Sequence, residues 1–95
     1  MTKVGVAGYG VIGQRLADGV AAQGDMELVG VADVAPTLPV RALAERGMPY
    51  KLFTAMPEKK NLLTDAGIPV SGTLEELVQE VDIMLDADRK STRLN

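Results

Sequence analysis

Three closely spaced glycines constrain the fold of this chain most. Gly8, Gly10 and Gly13 form the pattern G-x-G-x-x-G, between an apolar stretch at residues 3–8 and a helical period over residues 11–23. The pattern is short, but a strand before it and a helix after it are the context in which such a turn binds phosphate groups. In that context Gly8 permits the tight turn, Gly10 lets the backbone approach a pyrophosphate, and Gly13 allows the helix to pack closely on the strand.

Asp33 gives the glycine turn an acidic partner. It ends a second apolar strand, predicted at residues 26–32, about 20 residues beyond Gly13. A carboxylate there can accept hydrogen bonds from the ribose hydroxyls of NAD and repels the 2′-phosphate of NADP. The free N–H groups and the dipole at the helix start attract phosphates. The predicted cofactor-binding residues are therefore Gly8, Tyr9, Gly10, Val11, Ile12, Gly13 and Asp33.

The predicted cofactor is NAD, with NADP as the alternative. Two other interpretations of the same residues stay open at this point. One is a solvated loop aspartate beside a turn that is glycine-rich only for packing. The other is an adenosylmethionine site, which the third glycine disfavours because that glycine permits the close helix packing of dinucleotide sites.

Strands and helices alternate over the rest of the chain. Helices are predicted to begin at Thr37, Pro57 and Thr73, the last with a capping box completed by Glu76. Further strands are predicted at residues 50–55, 69–71 and 81–85. The buried face of the first helix is predicted to carry the apolar residues Ile12, Leu16 and Val20.

This alternation predicts an α/β fold with a Rossmann-type, doubly wound parallel sheet. The connections between the long strands contain helices, and strand–helix–strand crossovers in one sheet are right-handed. The predicted dinucleotide-binding domain spans residues 1–87 and is truncated, with no substrate domain.

Composition excludes several kinds of chemistry. The 95 residues contain no cysteine and no histidine, so they supply no thiolate nucleophile, imidazole base or zinc site. A net charge of −3 and an aromatic content of 3% argue against a nucleic-acid partner. No apolar run approaches the roughly 20 residues that cross a membrane, and no signal-peptide core is present at the start. The expected location is the cytoplasm, with no membrane partner.

Other charged residues are weaker candidates. Asp82 and Asp86 flank the last predicted strand and could form an acid–base pair. Their positions at opposite ends of one strand favour a structural role instead. Lys59 and Lys60 fit a solvated helix face better than a phosphate contact. No catalytic residue and no metal ligand is predicted.

Two segments resemble a known family. Residues 4–15, VGVAGYGVIGQR, and residues 67–77, GIPVSGTLEEL, resemble the N-terminal part of archaeal-type (type II) phosphorylating glyceraldehyde-3-phosphate dehydrogenases. The second segment is the more diagnostic, because generic dinucleotide-binding proteins do not share it. The resemblance implies a homotetrameric parent enzyme that oxidises glyceraldehyde 3-phosphate with phosphate as acyl acceptor, its catalytic cysteine lying beyond residue 95.

Two residues depart from the family pattern. Ala7 stands where the family often has asparagine, which removes a polar contact near the turn. Asp33 stands near a position where some members carry lysine and favour NADP, so the aspartate points to NAD. A different dehydrogenase, of the homoserine or semialdehyde type, and a stand-alone nucleotide-binding module remain alternatives.

The last eight residues do not continue the pattern. Residues 88–95, DRKSTRLN, are polar and basic, and they look like the translation of a common sequencing-adapter oligonucleotide. We predict that they are not native. A genuine basic tail is the alternative.

Overall fold

The computed structural model describes residues 1–87, so the predicted non-native tail at 88–95 lies outside the described residues. The strands are β1 (Thr2–Ala7), β2 (Met26–Asp33), β3 (Lys51–Thr54), β4 (Gly72–Thr73) and β5 (Ile83–Asp86). The helices are α1 (Val11–Ala21), α2 (Leu38–Glu45), α3 (Lys60–Thr64) and α4 (Leu74–Glu80), with a 3₁₀ turn (Pro57–Lys59) directly before α3.

All strand pairs in the sheet are parallel, as predicted. The order is β4-β3-β2-β1-β5. The chain therefore builds outward from β1 to β4 and then returns to the other side of β1 as β5. In sheets of this kind, the crevice outside the carboxyl ends of the strands opens where the winding direction reverses. Here that point lies between β1 and β5.

Helices cover both faces of the sheet, which confirms the doubly wound architecture. On one face, Val6, Val31 and Leu52 lie in register on adjacent strands and are fully buried under α1, α2 and α3. On the other face, Leu77 of α4 packs with Ala32 and Phe53. The first cluster is much the larger, so most of the core lies beneath the first three helices.

The buried face of α1 differs from the prediction. The buried residues of this helix are Gly13, Ala17 and Val20, whereas Ile12 is 61% exposed. Leu16 is partly buried against the larger cluster. Because successive helical residues are about 100° apart, a stripe through Gly13 and Ala17 turns Ile12 away from the sheet. The prediction that Ile12 belongs to the core face was wrong.

The segment between β3 and α4 also differs in detail. The helix predicted to begin at Pro57 is a 3₁₀ turn followed by the five-residue α3, and the short strand forms at Gly72–Thr73. The capping box is confirmed: Glu76 N donates to Thr73 Oγ1 at 3.3 Å, and Thr73 N donates to Glu76 Oε1 at 2.9 Å. Thr37 precedes α2 as predicted, although its hydroxyl makes no capping hydrogen bond within the described part of the chain.

Candidate dinucleotide-binding site

The glycine turn connects β1 to α1 at the carboxyl edge of the sheet. Gly8 has a φ of +90°, in the left-handed region that side chains disfavour. Its N–H donates to the carbonyl oxygen of Ala32 at 2.8 Å, which attaches the turn to β2. The turn therefore requires glycine at this position for backbone reasons.

Gly13 is required for a different reason, which is packing. A Cβ atom at this position would lie 1.8 Å from the carbonyl oxygen and 2.9 Å from the carbonyl carbon of Gly8. Both are backbone atoms, so neither can rotate away. The absence of a side chain at Gly13 thus lets α1 approach the turn as closely as it does.

Neither backbone conformation nor packing requires glycine at position 10. Its φ is −91°, which other residues adopt readily, and a Cβ atom built there finds no atom within 4 Å in the described residues. Gly10 is also the N-cap of α1, where serine, threonine or aspartate would cap the helix with a side chain. Glycine is itself an acceptable N-cap residue, but the fold does not require it at this position. The open space in front of Gly10 is the approach that a pyrophosphate needs.

The first turn of α1 faces that open space. The first N–H groups of a helix have no intrahelical partner, and the first turn of α1 contains no acidic side chain. A depression of about 370 Å³ lies beside it, lined by Gly10, Val11, Ile12 and Ala87. Ala87 directly follows β5, so the depression sits at the reversal point between β1 and β5. The side chains of Val11 and Ile12, both more than 60% exposed, form its apolar part.

Asp33 lies beside the turn, as predicted, and is already hydrogen-bonded to the backbone. Its Oδ2 accepts from Tyr9 N at 3.0 Å, and its Oδ1 accepts from Val34 N at 2.7 Å. A carboxylate offers about four acceptor positions, so two remain for further donors such as ribose hydroxyls. Asp33 is half-buried. The residue therefore orients the glycine turn in addition to any contact with a ligand.

Tyr9 contributes only its backbone to the site. Its side chain is 1% exposed and packs in the larger core cluster, with its ring 6.0 Å from the ring of Tyr50 in an edge-to-face arrangement. Its hydroxyl is hydrogen-bonded to the Tyr50 hydroxyl and to Arg46. The sequence analysis did not single out Arg46 or Tyr50, since no local pattern connects them to the glycine turn.

The two aspartates around β5 are far apart along the strand. Asp82 lies at its amino end, where Asp82 Oδ2 accepts from Lys3 N at 2.9 Å. Asp86 lies at its carboxyl end, paired in register with Ala7. The structure therefore supports the strand-end interpretation rather than an acid–base pair.

Within residues 1–87 no group of three or more acidic, histidine or cysteine side chains could hold a metal ion, and no helix is long and apolar enough to cross a membrane.

Comparison with known proteins identifies relatives of the whole described region. No family model matches the chain. A glyceraldehyde-3-phosphate dehydrogenase from Methanococcus maripaludis is 47% identical over 90 residues, which are 95% of this chain and 26% of the relative. The enzyme of the same name from Methanothermobacter thermautotrophicus is 47% identical over 87 residues, and that from Methanobacterium formicicum is 46% identical over 86 residues. The chain is homologous to archaeal glyceraldehyde-3-phosphate dehydrogenase.

This homology confirms the resemblance carried by residues 4–15 and 67–77. It covers 90–95% of the chain in these relatives. The chain spans about a quarter of the length of the curated relatives it matches, 25–26% in each case. Nothing in the matches favours a homoserine-type or semialdehyde-type dehydrogenase.

Proposed function

We propose that this chain holds the adenosine and pyrophosphate part of NAD, as the cofactor-binding part of a glyceraldehyde-3-phosphate dehydrogenase. The observation that carries the proposal is Gly10, whose lack of a side chain the fold itself does not require. The open space at Gly10, the unpartnered amides of the first turn and the reversal point of the sheet coincide at one place. Dinucleotide binding explains all three at once.

The proposed contacts divide between two groups of residues. The amides of Val11, Ile12 and Gly13 face the pyrophosphate, where the positive end of the helix dipole stabilises negative charge. Asp33 accepts hydrogen bonds from the adenosine ribose with the acceptor positions that Tyr9 N and Val34 N leave open. The same carboxylate repels a 2′-phosphate, so we propose that NAD is preferred over NADP.

We propose further that the parent enzyme is the phosphorylating type and a homotetramer. Bound NAD would supply the hydride acceptor for oxidation of the aldehyde carbon of glyceraldehyde 3-phosphate, with inorganic phosphate as the acyl acceptor that gives 1,3-bisphosphoglycerate. The residues of this chain bind and orient the cofactor. They include no cysteine to form the acyl intermediate, so we expect no NADH from the 95-residue chain with glyceraldehyde 3-phosphate and phosphate. Measurable NADH formation under those conditions would contradict this part of the proposal.

Gly10 provides the direct test of cofactor binding. We expect Gly10→Ala to weaken NAD binding by about tenfold or more, because one added methyl group in a tight contact costs about 1–3 kcal/mol. Its effect on folding should stay below about 1 kcal/mol, since the Cβ meets no atom of residues 1–87 within 4 Å. Gly19→Ala, on the exposed side of the same helix, is the matched control and should leave NAD affinity unchanged. Equal NAD affinities of the wild-type chain, Gly10→Ala and Gly19→Ala in calorimetry would refute the proposed site.

The role of Asp33 is tested by the ratio of two affinities. Asp33→Asn removes the negative charge, so we expect NAD binding to weaken and NADP binding to weaken less or improve. If Asp33 only supported the turn through Tyr9 N, both dinucleotides would lose affinity by the same factor. An unchanged NAD-to-NADP ratio would therefore contradict the proposed cofactor preference while leaving the Gly10 result standing.

A further inference from the structure

A chain of polar side chains lies under the glycine turn, away from the open site. It consists of Tyr9, Tyr50, Arg46 and Asp18, which we call the Tyr9 network. Arg46 Nη2 is 3.0 Å from the Tyr9 hydroxyl oxygen and 3.3 Å from that of Tyr50. The two hydroxyls are hydrogen-bonded to each other, and the Tyr50 hydroxyl donates to Asp18 Oδ1 at 3.4 Å.

The protons of the network permit one consistent direction. Arg46 has only donors, and the ionised carboxylate of Asp18 has only acceptors. Each tyrosine hydroxyl has a single proton. Since Tyr50 donates to Asp18, Tyr9 must donate to Tyr50 and accept from Arg46. The network thus runs from a cation at the end of α2 to an anion on α1, and both tyrosine hydroxyls are satisfied as donor and acceptor.

The network and the ligand site share one residue. The Tyr9 side chain is a buried inner member of the network, while the Tyr9 backbone N–H donates to Asp33 Oδ2. The position of the Tyr9 ring fixes the peptide of the turn, and that peptide fixes one oxygen of the carboxylate. Tyr9 thus connects Arg46 and Tyr50 to the Asp33 carboxylate.

We propose that the Tyr9 network is a positioning device that orients the Asp33 carboxylate and so sets the preference for NAD over NADP. This inference rests on the proposed function. NAD uses the Asp33 carboxylate to hold the adenosine ribose, whereas the 2′-phosphate of NADP is repelled by it. Loosening the network lets the Tyr9 amide and the carboxylate move, which weakens the NAD contact and relieves the repulsion of NADP.

Two variants disturb the network without emptying the core. Tyr50→Phe keeps the aromatic ring and leaves the net charge of the chain unchanged, but it removes the hydroxyl that links Tyr9 to Asp18. Arg46→Met keeps an apolar stem and removes the donor to both tyrosines at an exposed position. Arg41→Met is the matched control, because it removes the same charge from α2 at an exposed position outside the network.

The measurement is the ratio of NAD to NADP affinity of the full 95-residue chain, with the urea midpoint as a record of folding. We expect Tyr50→Phe and Arg46→Met to lower the ratio by about fivefold, the effect of one hydrogen bond, and Arg41→Met to leave it unchanged. In an Asp33→Asn background the same substitutions should no longer change the ratio, since the carboxylate they position is absent.

Three outcomes separate the possibilities. A wild-type chain that does not bind NAD overturns the proposed function and this inference together. A wild-type chain that prefers NAD, with unchanged ratios in both network variants, overturns the inference alone and leaves the network a packing feature. The inference is also overturned if the network substitutions change the NAD-to-NADP affinity ratio equally in the wild-type and Asp33→Asn backgrounds, because the network would then act by another route. If Tyr50→Phe fails to fold, the surface variant Arg46→Met decides.

Discussion

The close approach of α1 to the glycine turn predicts that Gly13→Ala is strongly destabilising. The added Cβ would lie 1.8 Å from the Gly8 carbonyl oxygen, and such atoms almost never come within 3.0 Å. The helix and the turn must therefore separate by more than about 1 Å. Overpacking of this kind costs about 1–3 kcal/mol, and we expect the upper end because both clashing groups belong to the backbone.

The magnitude can be isolated with a second glycine on the same helix. Gly19→Ala adds the same methyl group to α1 where a Cβ meets no atom of the described residues. It should raise the free energy of unfolding by about 1 kcal/mol, the difference in helix propensity between glycine and alanine. Both variants share this gain, so they differ by the clash, which we expect to be about 3 kcal/mol.

Urea unfolding followed by circular dichroism provides the assay. With a slope of about 1.5 kcal/mol per M, a net loss of about 2 kcal/mol, which is the clash less the gain in helix propensity, lowers the midpoint for Gly13→Ala by about 1.3 M. Gly19→Ala should shift the midpoint slightly upward. If Gly13→Ala unfolds at the same urea concentration as Gly19→Ala, α1 does not pack on the Gly8 carbonyl as described.

Two further predictions concern other parts of the chain. Thr73→Ala removes the capping box of α4 and should lower the free energy of unfolding by about 1 kcal/mol in the same urea assay. Thr64→Ala, in α3, is the control and should lower it little. Equal urea midpoints for the two variants would show that the cap is not stabilising. Burial, together with the hydrogen bond to Tyr9, raises the pKa of the Tyr50 hydroxyl. Because an unfolded tyrosine ionises near pH 10, the folded state then holds its proton longer, and stability should fall as the pH rises above about 10. Tyr50→Phe should flatten this decline; an equal decline in both proteins would contradict the assignment.

The sequence contains enough information to predict the fold and the place of the glycine turn and Asp33 within it. Gly8, Gly13 and Asp33 lie at spacings set by the geometry of one strand–helix–strand unit, so local pattern is sufficient to place them. The distinct role of Gly10 is not visible in the pattern, since all three glycines look alike until the space around each is known.

Two features of the site depend on tertiary contacts that local patterns do not record. Ile12 fits a helical apolar face by spacing, but the docking of Gly13 on the turn decides which face is buried and leaves Ile12 exposed. Tyr9 lies within the motif, yet its side chain is directed into the core by partners 37 and 41 residues away, Arg46 and Tyr50. A pairing over that distance has no periodic signature.

The most direct test of the central claim is to map NAD binding onto the backbone amides by NMR. We expect NAD to shift the amide signals of residues 8–13 and of Asp33 and Val34, around the open space at Gly10. Two further depressions on the described residues, one beside Arg41 and Ile68 and one beside Arg15 and Met26, serve as internal controls. Shifts confined to either depression, or none at residues 8–13 at millimolar NAD, would contradict the account.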